Sequence, residues 1–108
     1  MLQVTFEDCL KILVEEEGSD LYYSTGAPPS AKFFGSMRKL SDVRMAPGEI
    51  EELAYAIMDP TQQEQFGHSP EMNLAISRSG LGRFRVNIFK QRNQVSMVIR
   101  RLGTDLPS

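Results

Sequence analysis

Tryptophan is absent from this sequence, and cysteine and histidine occur once each, as Cys9 and His68. One cysteine cannot close an internal disulfide, and a single Cys and a single His cannot assemble the ligand set of a structural zinc site, so no metal is expected. No triad geometry that would make His68 a base for Ser69 or Ser77 can be read from the sequence, which leaves it a loop histidine. Long apolar runs are missing too: every one falls well short of the roughly 20 residues of a membrane helix. The N-terminus does not show the basic-then-apolar order of a secretory leader, so a cytosolic location is expected. Charge of one sign is not in excess. Twelve Lys and Arg stand against 14 Asp and Glu, a formal net charge of -2, which gives no reason to invoke nucleic acid as a partner. Finally, no GxxxxGK[ST] run occurs, so autonomous phosphate-loop hydrolysis of a nucleotide is not expected. Gly80-Leu81-Gly82 resembles a phosphate loop only in its glycines. No Lys-Ser/Thr pair follows, and a hairpin turn that needs positive φ accounts for it better.

What is present is the composition of one ordinary domain: 108 residues, 41% hydrophobic and 24% charged, enough to bury a single core. Thr5 with Asp8 three residues on forms a capping-box pattern, and Phe6, Leu10, Leu13 and Val14 then share one helical face. Cys9 falls among these apolar positions and reads as packing rather than as a reactive thiol. Glu15, Glu16 and Glu17 form a solvated helix end, with Gly18 as the stop. Residues 21–25 are β-prone, with Tyr22 and Tyr23 as a strand's core and rim rather than a ligand-stacking site. The prolines of Gly26-Ala27-Pro28-Pro29 hold the chain extended before a hairpin of residues 31–34 and 37–40 around Gly35-Ser36. Pro47 is expected in the first turn of a second helix, with Glu49, Glu51 and Glu52 at its positive end and Ile50, Leu53, Ala54, Ile57 and Met58 as its buried stripe. Asp59-Pro60 with Gln62 starts a short third helix that runs to about Phe66.

The last third alternates with period two. Met72, Leu74 and Ile76, then Phe84, Val86 and Ile88, then Val95, Met97 and Ile99 each mark one apolar strand face. Short links between them predict an antiparallel meander, and helices on one side of that sheet complete an α+β domain. The same alternation puts Arg83 and Arg85 on the polar face of one strand and Arg100 on that of the next, with Arg92 in the connecting turn able to join them. Arginine is permanently charged and presents a planar fork of donors, so such a cluster can recognise phosphate or carboxylate. A solvated or ion-paired sheet surface is the alternative reading of the same pattern.

Several of these segments occur in an order that matches a known family. They are Gly18-Ser19-Asp20-Leu21 after the first helix, Gly26-Ala27-Pro28-Pro29 after the strand, Ala54-Tyr55-Ala56-Ile57-Met58 before the third helix, and Gly82-Arg83-Phe84-Arg85-Val86-Asn87-Ile88-Phe89-Lys90-Gln91-Arg92. With Met97-Val98-Ile99-Arg100-Arg101 they resemble, over nearly the whole chain, the N-terminal domain of type IV pilus retraction ATPases, the PilT/PilU family of the secretion ATPase superfamily. The Gln91-Arg92-Asn93 turn and the doubled Arg100-Arg101 place the resemblance nearer the PilU side. It implies a PAS-like domain over residues 1–102 and the start of an interdomain linker at 103–108, with the RecA-like ATPase domain not in this chain. It further implies ATP and magnesium in the complete motor, with none bound by this domain alone. The partners it implies are the protein's own ATPase domain, neighbouring subunits of a homo-hexamer, a second retraction ATPase, and the pilus platform on the cytoplasmic side of the inner membrane. By motif match it points to Arg85 and Arg100 as the nucleotide-facing residues, with Arg83 and Arg92 as further candidates. Two departures stand out: Tyr22 replaces the histidine many members carry after Ser-Asp-Leu, and Ala46-Pro47 lacks the Ser/Thr cap often found there. A stand-alone PAS-like sensor with an internal ligand cavity is the alternative function.

Overall fold

The computed structural model describes residues 4–102; the linker expected at 103–108 lies outside the described residues. In chain order the elements are α1 (Phe6–Glu15), β1 (Asp20–Tyr23), β2 (Ser30–Phe33), β3 (Ser36–Lys39), α2 (Glu49–Ala56), α3 (Pro60–Gly67), β4 (Glu71–Arg78), β5 (Gly82–Gln91) and β6 (Gln94–Arg101). The strands form one six-stranded sheet in the order β3-β2-β1-β6-β5-β4, antiparallel at every pairing. The C-terminal meander is as expected. The pairing of β1 with β6 is what joins the two hairpin systems, and it sets Asp20 opposite Arg100 and Leu21 opposite Ile99.

The helices cover one face. Leu10 and Leu13 of α1, Ile50 and Ala54 of α2 and Phe66 of α3 meet Leu21, Val86, Ile88, Met97 and Ile99 of the sheet in a single buried cluster. Phe84 is fully buried with them, so the three alternating stripes read from the sequence are the floor of the core.

Local chemistry explains the element ends. The Thr5 hydroxyl accepts from the Asp8 N–H while the Asp8 carboxylate accepts from the Thr5 N–H, a reciprocal cap on α1; Asp59 and Gln62 do the same for α3. α2 begins later than expected. Pro47 lies before the helix in a turn closed by the Glu49 N–H donating to the Ala46 carbonyl, with Gly48 at φ 89° as the N-cap. The missing Ser/Thr cap is replaced in part by the Glu49 carboxylate, which accepts from the Ala46 N–H at 2.6 Å. The β2–β3 and β5–β6 links are two-residue turns with both residues at positive φ, Phe34 and Gly35 in one and Arg92 and Asn93 in the other. That is the type I′ geometry whose twist suits a tight hairpin. Gly80 and Gly82, at φ 79° and 107°, serve the β4–β5 hairpin, as the absence of a phosphate-loop lysine implied.

Candidate functional site

The face of the sheet opposite the helices carries the candidate site. Cross-strand register decides which polar side chains meet there. Arg85 of β5 is the direct partner of Arg100 of β6; Arg100 is the partner of Asp20 of β1, and Asp20 of Lys32 of β2. Ala75 of β4 and Met37 of β3 complete the row. Alternation along each strand keeps these six side chains on one face.

Within that row the electrostatics are uneven. Arg100 donates from Nε to Asp20 Oδ1 at 3.0 Å, and the other Asp20 oxygen accepts from the Ser19 hydroxyl at 2.8 Å. Arg85 is exposed and makes no ion pair or hydrogen bond with its side chain among the described residues. Its nearest ladder partner is another arginine, and like charges directly opposite each other are destabilising. Two guanidiniums held side by side, one of them without a counterion, form a ready receptor for an anion with several oxygens.

Arg83 lies two positions along β5 on the same face, opposite Ser77, and is exposed; it extends the cationic strip toward the end of β6, where its carbonyl accepts from the Leu102 N–H. Arg92 does not join the strip. It occupies the β5–β6 turn, seven residues from Arg85, which at about 3.3 Å per residue is roughly 23 Å away along the strand. The expectation that the turn arginine could join the cluster is therefore corrected: the length of β5 between Arg85 and the turn separates them. Instead Arg92 sits by Ser24, Thr25 and Gln94 in one shallow depression and by Glu51 and Lys90 in another.

Two site residues were not singled out from the sequence. Asp20 appeared only as part of a motif and Lys32 not at all. Asp20's polar character beside buried Leu21 was the available signal, but its pairing with Arg100 depends on the β1–β6 register, which local periodicity does not contain. The remaining sequence candidates stay ordinary. His68 ends α3 as its C-cap, and the Ser69 hydroxyl donates to the Glu71 carbonyl. Among the described residues no group of three or more His, Cys, Asp or Glu is placed to hold a metal.

No protein-family model matches the chain. Individual proteins do. The type IV pilus ATPase PilU of Pseudomonas aeruginosa is 41% identical over 103 residues, which is 95% of this chain and 27% of PilU. The chain is a homologue of pilus ATPases. PilT, a type IV pilus retraction ATPase of the same organism, is 29% identical over 93 residues, covering 86% of this chain and 27% of PilT. A crystal structure of the pilus retraction motor PilT with bound ADP superposes with a TM-score of 0.84 at 28% identity, covering all of this chain and 31% of that one. The α+β, PAS-like fold is thereby shared with PilT. The higher identity to PilU agrees with the side of the family expected from the Gln91-Arg92-Asn93 turn. This chain spans about a quarter of the length of these curated relatives. Among its described residues no helix is long and apolar enough to cross a membrane.

Proposed function

We propose that this chain is the N-terminal, non-catalytic domain of a pilus retraction ATPase and that it presents Arg85 and Arg100 to the phosphates of a nucleotide held by an ATPase domain following it. The observation that carries this reading is the cross-strand pairing of those two arginines on an exposed face in a homologue of two pilus ATPases. The donor set fits: both guanidiniums can aim planar forks at phosphate oxygens, and Arg85 has no competing carboxylate among the described residues. A bound nucleotide would supply the phosphoanhydride and its magnesium. What this domain adds is fixed positive charge that approaches when the domains close, which stabilises charge as it develops. The same reading makes the protein a homo-hexamer at the cytoplasmic side of the inner membrane, with the domain packed on a neighbouring subunit's ATPase domain and acting with the pilus platform and a second retraction ATPase.

The sensor alternative asks for an enclosed cavity, and the apolar depression found here argues against it. It measures about 450 Å³ and opens between Phe6, Tyr23, Met45 and Leu53 at the side of the domain, not inside it. The core behind it is filled by side chains with no exposure at all, among them Leu10, Leu13 and Met97.

The test is steady-state ATP turnover by the protein that joins this domain to its nucleotide-binding domain. Arg85→Ala and Arg100→Ala are each expected to lower kcat by about 10²-fold, the scale of one lost charge-stabilising donor, while this 108-residue chain alone hydrolyses nothing above blank. Wild-type turnover in both variants would sink the proposal.

A further inference from the structure

The nucleotide-facing reading leaves one buried charge without a role. Asp20 is 7% exposed and is the one buried ionisable carboxylate among the described residues. Removing a carboxylate from water is unfavourable unless its partners compensate, and a well-packed apolar residue is often at least as stabilising in such a place. Yet Asp20's compensation is meagre. Its ion-pair partner Arg100 is mostly solvated, with 68% of its side chain exposed, and screening by water weakens such a pair. Lys32, its neighbour on the other side of the ladder, forms no ion pair with it.

The geometry of the contact is more informative than its strength. Arg100 touches Asp20 through Nε alone, so Nη1 and Nη2 have no partner among the described residues. A guanidinium tethered by Nε keeps its outer pair of nitrogens free, in a plane set by the tether. The tether is itself fixed: Ser19 Oγ holds Oδ2, and the Ser19 N–H donates to the Lys32 carbonyl while the Ser19 carbonyl accepts from the Arg101 N–H. Ser19 thus links β2 and β6 around the carboxylate. Asp20 also supplies the only negative charge in the row that contains Arg85 and Arg100, which allows two like charges to stay adjacent.

We infer that Asp20, steadied by Ser19, is a positioning residue that holds the Arg100 guanidinium by Nε so that Nη1 and Nη2 face the nucleotide phosphate, an inference that rests on the function proposed above. Its role is to reduce the freedom a long exposed arginine would otherwise lose on binding. Asp20 does not touch the nucleotide.

A double-mutant cycle on ATP turnover by the protein carrying both domains tests this. Asp20→Asn preserves shape but removes the charge. It is expected to lower kcat by about tenfold, as for other residues that orient a functional group from behind, with KM changing in the same direction as in Arg100→Ala. Placed in the Arg100→Ala background, Asp20→Asn is expected to lower kcat no further. Ser19→Ala, which leaves the carboxylate and removes only its hydroxyl donor, should show a smaller loss of the same kind and serves if Asp20→Asn does not fold. Independent losses in the double variant would overturn the inference and leave the proposed function standing; so would an unchanged Asp20→Asn or, where that variant does not fold, an unchanged Ser19→Ala beside an impaired Arg100→Ala. An unchanged Arg100→Ala would overturn the reading on which the inference rests. A second readout separates geometry from activity: in the 108-residue chain, the Arg100 Nε–H signal in arginine-selective NMR should be protected from exchange in the wild type. That protection should be lost in Asp20→Asn and kept in Arg85→Ala; equal protection in all three would remove the tether.

Discussion

Cys9 and Tyr23 show how far burial can change a side chain's chemistry. Burial pushes the Cys9 thiol up from its ordinary value, against a hydrogen bond with Tyr23 that lowers it, and Asp8 adds to the rise. Tyr23 is pushed up strongly, by burial first and then by its neighbour Cys9. In the unfolded chain the thiol releases its proton near pH 8.5 and the phenol near pH 10. The native state keeps both protons beyond those values. Above about pH 8.5 the unfolded chain therefore binds fewer protons than the native one, and stability falls as pH rises. The fall is at most about 1.4 kcal/mol per pH unit for each group past its unfolded value. Urea melts between pH 8 and 10.5 should show wild type losing stability faster than the Cys9→Ala, Tyr23→Phe double variant; parallel slopes would show that neither group is linked to folding. Cys9's packing role could be read from the helical pattern. Its contact with Tyr23 could not, because that requires β1 to be laid against α1.

At the scale of elements, the end of α1 is where sequence reasoning chose the right region and the wrong residue. Gly18 looked like the left-handed stop. The structure gives that conformation to Glu17, at φ 59°. The Glu17 N–H then donates to the Val14 carbonyl and the Gly18 N–H to the Leu13 carbonyl, the paired bonds of a Schellman ending. Gly18 is needed for a different reason: a Cβ there would lie 2.7 Å from Leu13 Cδ1 and 2.9 Å from Phe33 Cε1. A side chain at left-handed φ is strained by about 1 kcal/mol and glycine is not. Glu17→Gly should accordingly stabilise the domain by about 1 kcal/mol, whereas Gly18→Ala should destabilise it by about 1–3 kcal/mol through overpacking. Chemical denaturation of both variants checks the pair, and the reverse ranking would restore Gly18 as the conformational stop. Strands and caps were legible because alternation and capping boxes are local. The start of α2 was misplaced because Pro47 suits a first helical turn and a Pro-Gly turn equally well.

Across the whole molecule, a net charge of -2 conceals a separation that composition cannot reveal. The exposed sheet face gathers Lys32, Lys39, Arg83, Arg85 and Arg100 against the two carboxylates Asp20 and Glu71, while Glu7, Asp8, Glu49, Glu51 and Glu52 lie on the helices of the other side. Near-neutrality gives no reason to invoke nucleic acid as a partner, yet one face is suited to an anion. The β1–β6 pairing builds that face by bringing residues 20 and 100 together, and such distant pairings leave no local trace in a single sequence. Its cost to the fold is measurable at Arg85, which faces Arg100 without a counterion of its own. Arg85→Gln keeps a long polar side chain and removes the repulsion, so the isolated domain should gain about 0.5 kcal/mol at low salt. Raising the salt to 1 M, where the screening length is about 3 Å, should erase most of that gain by stabilising the wild type. A variant that is more stable in the isolated domain but slower in ATP turnover would mark Arg85 as a site where stability has been given up for function. Unchanged stability at every salt concentration would mean that solvent and the Asp20 carboxylate already neutralise the pair, and the destabilisation assigned to Arg85 would be wrong.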